Sequence, residues 1–178
     1  MNLDEKIRKI PNWPKEGILF YDVTTLFEDP AALRYTIDKM IEPYRGQKID
    51  KIVAIDARGF LLATPMALEM NTGVSLVRKK GKLPHKTVEA SYEKEYGPDT
   101  IVMHEDTIKP GEKVLIVDDL LATGGTMLAS VELVRKLGGE VVGASVLVNL
   151  SFLPGLEKLK AEGIRVNYLV EYNNEAVV

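Results

Sequence analysis

Two adjacent carboxylates, Asp118 and Asp119, close a short run of β-branched and aliphatic residues at 114–117. A few residues on come Gly124 and Gly125, then Thr126 ahead of apolar Met127, Val131 and Val134. Carboxylates accept hydrogen bonds from a sugar diol or hold a divalent metal, but they do not bind phosphate directly. Glycines let backbone N–H groups close around an anion. A helix N-terminus adds unpaired donors and the positive end of a dipole. These groups together suit a ligand that carries both hydroxyls and a phosphate. The elements that must position them follow from the same stretch. They are a doubly buried strand over 114–117, a loop of small residues over 120–125, and a helix N-capped by Thr126.

An acid pair after a strand is, in most chains, a solvated turn. This one leads into a glycine loop and a capped helix, which a solvated turn does not need. A phosphoacceptor receiver domain also carries an acid pair after such a strand, but it requires a further aspartate downstream, and none follows Asp119. Neither G-x-x-x-x-G-K-[ST] nor G-x-G-x-x-G occurs, which excludes the commonest nucleotide loops.

The chain of 178 residues predicts a single domain, 1–178, large enough for a full core. Its net charge of −3 argues against a general nucleic-acid binder. It has no cysteine, which fits a reducing, cytoplasmic setting. No apolar run reaches membrane-spanning length, and the N-terminus lacks a signal-peptide core. No nucleic-acid or membrane partner is expected.

Asn2 and Glu5 have capping spacing, and Leu3, Ile7 and Ile10 predict a short helix ended by Pro11. Residues 12–17 form a turn-rich connector, and 18–25 an extended segment. The bland reading of Leu19 and Phe20 there is an edge strand packed on the core. Helices are predicted over 30–44 and 60–70, with a buried strand over 51–55 delivering Asp56–Phe60, DARGF. In that turn Arg58 is either a surface arginine or a planar guanidinium suited to phosphate oxygens. A strand over 73–77 runs into RKKGKLPHK, residues 78–86, with five cations in nine residues. Such a run is usually a solvated loop, yet in a net-acidic chain it would also steer a polyanion. Residues 87–97 read as two weak strands or a mobile flap, and 100–104 as a strand. His85 and His104 lack ligand-like partners and read as structural or surface residues. Beyond the central motif come strands at 141–150 and 164–170, a short helix at 154–162 and a loose terminus.

The stretch VLIVDDLLATGGT resembles the phosphoribosyl-diphosphate (PRPP) signature of the type I phosphoribosyltransferases. GILFYDVT, DARGF, RKKGKLP and EYG match further motifs of that family's adenine-accepting branch, so the likeness covers nearly the whole chain. The resemblance implies that Ala122, Thr123, Gly124, Gly125 and Thr126 bind the 5′-phosphate of PRPP or AMP. Asp118 and Asp119 would hold the ribose hydroxyls. Arg58, Arg78, Lys79, Lys82 and Tyr96 would bind pyrophosphate, with Gly59 allowing a close backbone approach. Phe20 would stack on the base, the Leu19 backbone would read its edge, and Glu95 would be a proton acceptor on a lid. Tyr21 departs from the pattern, where a basic residue is usual.

Alternating strands and helices predict an α/β fold with a largely parallel central sheet flanked by helices. Ligands bind such sheets at the carboxyl ends of the strands, where the motifs converge. The resemblance adds a small N-terminal hood, about 1–30, and a flexible lid loop, about 81–97. It implies transfer of the 5-phosphoribosyl group from PRPP to adenine, giving AMP and pyrophosphate. Mg²⁺ would be held mainly through substrate oxygens, with no certain protein ligand. A homodimer is expected by the same likeness. A transferase for xanthine or orotate, or a PRPP-sensing regulator without catalysis, remains an alternative. The presence of Lys82, Glu95 and Tyr96 and the lack of an added basic module favour an enzyme.

Overall fold

Chain pairing near the N-terminus overrides the local helix signal. The computed structural model describes residues 1–173, so the predicted loose terminus lies outside the described residues. Asn2 does bond Glu5 at 2.9 Å, but it closes only a 3₁₀ turn, Asp4–Lys6. Ile10 then lies in strand β1 (Arg8–Pro11), antiparallel to β2 (Leu19–Asp22). A helix of so few residues is marginal alone, and the ladder to β2 wins. These strands form a separate two-stranded sheet, the structural counterpart of the predicted hood.

A short helix α1 (Thr24–Phe27) leads to α2 (Pro30–Ile41). Asp29 caps α2 by accepting from the Ala31 and Ala32 amides, and Pro30 opens it where no N–H is needed. The chain continues through β3 (Lys51–Ile55), α3 (Arg58–Glu69), β4 (Gly73–Lys79), β5 (Thr87–Lys94), β6 (Gly97–His104) and β7 (Lys113–Leu121). Then follow α4 (Gly125–Lys136), β8 (Glu140–Leu150), α5 (Gly155–Ala161) and β9 (Val166–Tyr172).

The large sheet has seven strands in the order β5-β6-β4-β3-β7-β8-β9. The five from β4 to β9 in that order are mutually parallel; β5 and β6 form an antiparallel hairpin on the β4 edge. Residues 87–94 of the span read as a lid, 81–97, are therefore strand β5, packed on α4. One core cluster joins the hood, α2 and α3 to one face of the sheet, around Leu26, Met40, Leu62 and Met66. The other joins α4 and α5 to the opposite face, around Ile116, Leu133, Val134 and Leu159. The central strands β3 and β7 are buried on both faces, as their unbroken apolar runs predict.

Candidate active site

The acid pair lies inside β7, not on a loop beyond it. Asp118 pairs in register with Val146 of β8, and the ladder continues through Leu120 and Leu121. The strand runs on because β8, long and apolar, offers partners past the point where β7 turns polar. Both carboxylates are thus fixed by sheet backbone. Asp119 is buried, and its Oδ2 accepts from Arg58 Nε at 2.5 Å. The Asp119 amide donates to Asp118 Oδ1 at 2.8 Å. Burial, then the neighbouring Asp119 charge, pushes the Asp118 carboxyl well above the ordinary carboxylate range. Burial opposes the Arg58 charge, but Asp119, Asp118 and Asp22 outweigh it and hold the guanidinium firmly protonated.

Arg58 opens α3 directly after β3, so β3 and β7 bring it and the acid pair together from distant parts of the chain. Gly59 makes room for this meeting. A Cβ there would lie 3.0 Å from the Val117 carbonyl and 3.2 Å from Asp118 Oδ1.

The loop after β7 turns at Gly124, whose φ of 86° is left-handed and which, instead of Thr126, is the α4 N-cap. No side chain caps this helix, so its first amides keep their donors for a ligand. Asp118, Leu120 and residues 121–127 line a cavity of about 100 Å³. Gly155 supports the loop from behind, donating its amide to the Ala122 carbonyl at 3.0 Å. Its Cα would be only 2.9 Å from a Cβ on Gly124, so the two glycines require each other. Thr123 is exposed, whereas Thr126 donates to the Tyr92 hydroxyl at 2.8 Å.

The cationic segment is partly paired. Arg78 donates to Asp56 at 2.9 Å, and Lys79 lies 3.5 Å from Asp99. Lys82 is exposed in the turn after β4, its amide bonded to the Lys79 carbonyl. Glu95 and Tyr96 form the turn between β5 and β6. Both are exposed, Tyr96 by 89%, and neither side chain is brought onto the acid pair. On the hood, Phe20 is half-buried and meets the Trp13 ring edge-on at 4.3 Å. Asp22, two residues on, is near enough to Arg58 for the two to influence each other's charge. Leu19 stands opposite Pro11, which has no N–H to donate, and β2 has one unpaired backbone edge among the described residues. Tyr21 faces inward, stacked on Tyr172 at 3.7 Å.

Sequence reasoning missed Trp13, Tyr92, Leu120 and Gly155. Trp13 is the chain's single tryptophan, placed beside the aromatic hood strand, and that was a usable signal. The Pro154–Gly155 pair read only as a helix start, because nothing local reports its contact with a loop 30 residues away.

A parallel sheet whose strand ends carry an acid pair, a paired arginine and an uncapped helix N-terminus defines a sugar-phosphate-binding α/β protein. Residues 22–166 match the model of the phosphoribosyl transferase domain family. The adenine phosphoribosyltransferase of Clostridium botulinum is 55% identical over 173 residues, which cover 97% of this chain and 99% of that protein. The crystal structure of adenine phosphoribosyltransferase from Rhodothermus marinus is 45% identical, with a TM-score of 0.90 over 96% of each chain. That of the Saccharomyces cerevisiae enzyme, complexed with D-2,5-dideoxy-2,5-imino-altritol 1,6-bisphosphate and adenine, is 37% identical. Its TM-score is 0.85 over 94% of this chain and 95% of that one. The chain belongs to the phosphoribosyltransferase family, in its adenine phosphoribosyltransferase branch.

Proposed function

We propose that this chain transfers the 5-phosphoribosyl group of PRPP to adenine, forming AMP and releasing pyrophosphate. The observation that carries the reading is the meeting of Arg58, Asp118 and Asp119 with an uncapped helix N-terminus at the end of β7. The 5′-phosphate sits on the amides of residues 122–126, helped by the Thr123 and Thr126 hydroxyls. Asp118 and Asp119 accept from the ribose hydroxyls. The base lies under Phe20, with its edge against the Leu19 backbone.

The bond from the anomeric carbon to the pyrophosphate oxygen breaks and a bond to adenine N9 forms. Positive charge builds on the ribose and negative charge on the leaving group. Arg58, Arg78, Lys79 and Lys82 stabilise the leaving charge, and Tyr96 adds a hydroxyl, so catalysis is electrostatics and positioning. Glu95 takes the N9 proton when the β5–β6 turn folds over the site as a lid, which also excludes water. No group of three or more His, Asp or Glu residues gathers into a metal cage among the described residues. Mg²⁺ would be carried mainly on substrate oxygens, where it would neutralise pyrophosphate charge. The reaction is assigned to the cytoplasm, and no helix among the described residues is long and apolar enough to cross a membrane. The active form is a homodimer.

The test is direct. The chain is incubated with PRPP, Mg²⁺ and adenine, xanthine or orotate in turn, and nucleotide formation is followed. AMP formation with adenine is expected. Turnover only with another base, or with none, would overturn the assignment.

A further inference from the structure

The hairpin and the phosphate loop touch through Tyr92. Thr126 donates to the Tyr92 hydroxyl at 2.8 Å, and the Tyr92 ring lies against Gly125. A Cβ on Gly125 would sit 2.5 Å from Tyr92 Cδ2, whereas its backbone needs no left-handed φ. The glycine therefore makes room for the ring. From Tyr92 the contacts continue. Lys94 Nζ lies 5.6 Å from the ring centroid and 2.6 Å from Asp99 Oδ2, and Asp99 also attracts Lys79 at 3.5 Å. A chain of contacts thus joins the phosphate loop to the cationic segment, along the strand that ends at Glu95 and Tyr96. Lys136 of α4 steadies the same strand by donating to the Glu89 carbonyl at 2.6 Å.

We propose that Tyr92 is a positioning residue that couples occupation of the phosphate loop to placement of the β5–β6 hairpin. The proposal rests on the reading that the loop binds the 5′-phosphate. Thr126 has a single hydroxyl hydrogen. A phosphate oxygen accepts it more strongly than a neutral phenol, because the bond is charge-assisted. Thr126 then turns to the phosphate and presents lone pairs to Tyr92, whose O–H reverses to donate. The bonds from Tyr92 to Thr126 and from Thr126 to phosphate run in one direction, so each polarises the next. The hairpin is held more firmly with phosphate bound than without it. A tyrosine that merely filled space over Gly125 would be replaced by phenylalanine without consequence.

Ribose 5-phosphate is the probe, since it carries the phosphate and hydroxyls without pyrophosphate. Its affinity for the full chain is measured by calorimetry, and amide hydrogen exchange is followed over residues 87–104. In the wild type, saturation should slow hairpin exchange about fivefold or more, the scale of an ordinary coupling. Tyr92→Phe keeps the ring and should bind within about tenfold of wild type, the worth of one neutral hydrogen bond. At saturation it should show no slowing of hairpin exchange. Full protection in saturated Tyr92→Phe overturns the coupling. So does bound wild type whose hairpin exchange is unchanged, and that result leaves the phosphate-loop reading standing. Failure of the wild type to bind ribose 5-phosphate at all removes the phosphate-loop reading and the coupling with it. If Tyr92→Phe fails to fold, Thr126→Ser and Thr126→Val replace it. Serine should keep the protection and saturated valine should lose it, and equal protection in both overturns the coupling.

Discussion

Asp118 is the residue at which the proposed function and stability pull apart. Burial and the Asp119 charge raise its pKa above the ordinary carboxylate range. The folded chain then holds a proton that the unfolded chain has released. Across the window between the ordinary and the raised pKa, stability falls as pH rises, and above the window the loss is complete. Asp118→Asn removes the charge and keeps an oxygen for the Asp119 amide. The variant should melt higher than wild type at pH 7, by roughly 2–4 °C for each 1 kcal/mol relieved. The gain should vanish as pH is lowered toward the ordinary carboxylate range. Activity at limiting PRPP should fall sharply, because a charged acceptor to a hydroxyl is worth about 1.5–3 kcal/mol. Thermal melts across pH, with initial rates on the same samples, test both halves. A lower melting temperature at pH 7 would show that the carboxylate is not under strain. Arg58 differs from Asp118 in this respect. Removing it would leave Asp119 buried without its cation, so loss of fold and loss of catalysis would be entangled.

At the scale of elements, the hood is clasped to the far end of the chain. Tyr172, the last residue of β9, donates to Asp4 at 2.5 Å and stacks on Tyr21. Lys9 lies 2.8 Å from Asp4 and 5.7 Å from the Tyr172 ring centroid. The Lys9 and Tyr172 bonds hold the Asp4 carboxyl below its usual range. Burial, then Asp4, pushes the Tyr172 hydroxyl upward, so it remains a donor. Tyr172→Phe keeps the stack and deletes the hydrogen bond. It should cost about 1 kcal/mol of net hydrogen bonding and free the hood rather than the sheet. The expected result is a KM for adenine raised about two- to tenfold, with faster amide exchange in β1 and β2 alone. Unchanged exchange there would mean that the Tyr21–Tyr172 stack suffices. This clasp explains the departure at Tyr21, which no reading of the sequence could supply, since its partner lies 151 positions away (172 minus 21). The central strands were legible for the opposite reason. β3 was read to the residue because an apolar run between turn signals reports burial on both faces locally. β7 was cut short at the acids, since polarity suggested an end where the β8 ladder continues. The placement of the candidate site was legible where chemistry is local, in DARGF and ATGGT. It was illegible where support comes from across the chain, as with Gly155, Tyr92 and the packing of Gly59 against β7.

The whole molecule sets assembly and base choice. Leu61 and Leu68 share the outer face of α3 and are 56% and 78% exposed. Leu76 of β4 is 38% exposed, on the face of its strand that packs toward α3. An exposed apolar surface of this kind suits a second copy of the chain. Light scattering should give twice the chain mass for wild type and a single chain mass for Leu68→Glu; a monomeric wild type would reject the dimer. In the proposed reading, base choice depends on the hood reaching the strand ends from outside the sheet. Adenine presents an acceptor at N1 beside a donor at its 6-amino group. One extended residue offers the complement, an N–H and a C=O, and Leu19 lies on a strand with an unpaired edge. Hypoxanthine reverses both groups, so donor would face donor and acceptor would face acceptor. Each unsatisfied buried polar group costs about 1–3 kcal/mol, and two imply a preference of roughly a hundredfold or more. Phe20, which meets Trp13 edge-on, would add stacking that serves either base alike. Phe20→Ala should therefore raise KM for adenine without making hypoxanthine a good substrate. The quantities to compare are kcat/KM for the two bases in wild type and variant. Similar wild-type values for adenine and hypoxanthine would remove Leu19 as the discriminating residue and leave the acceptor open.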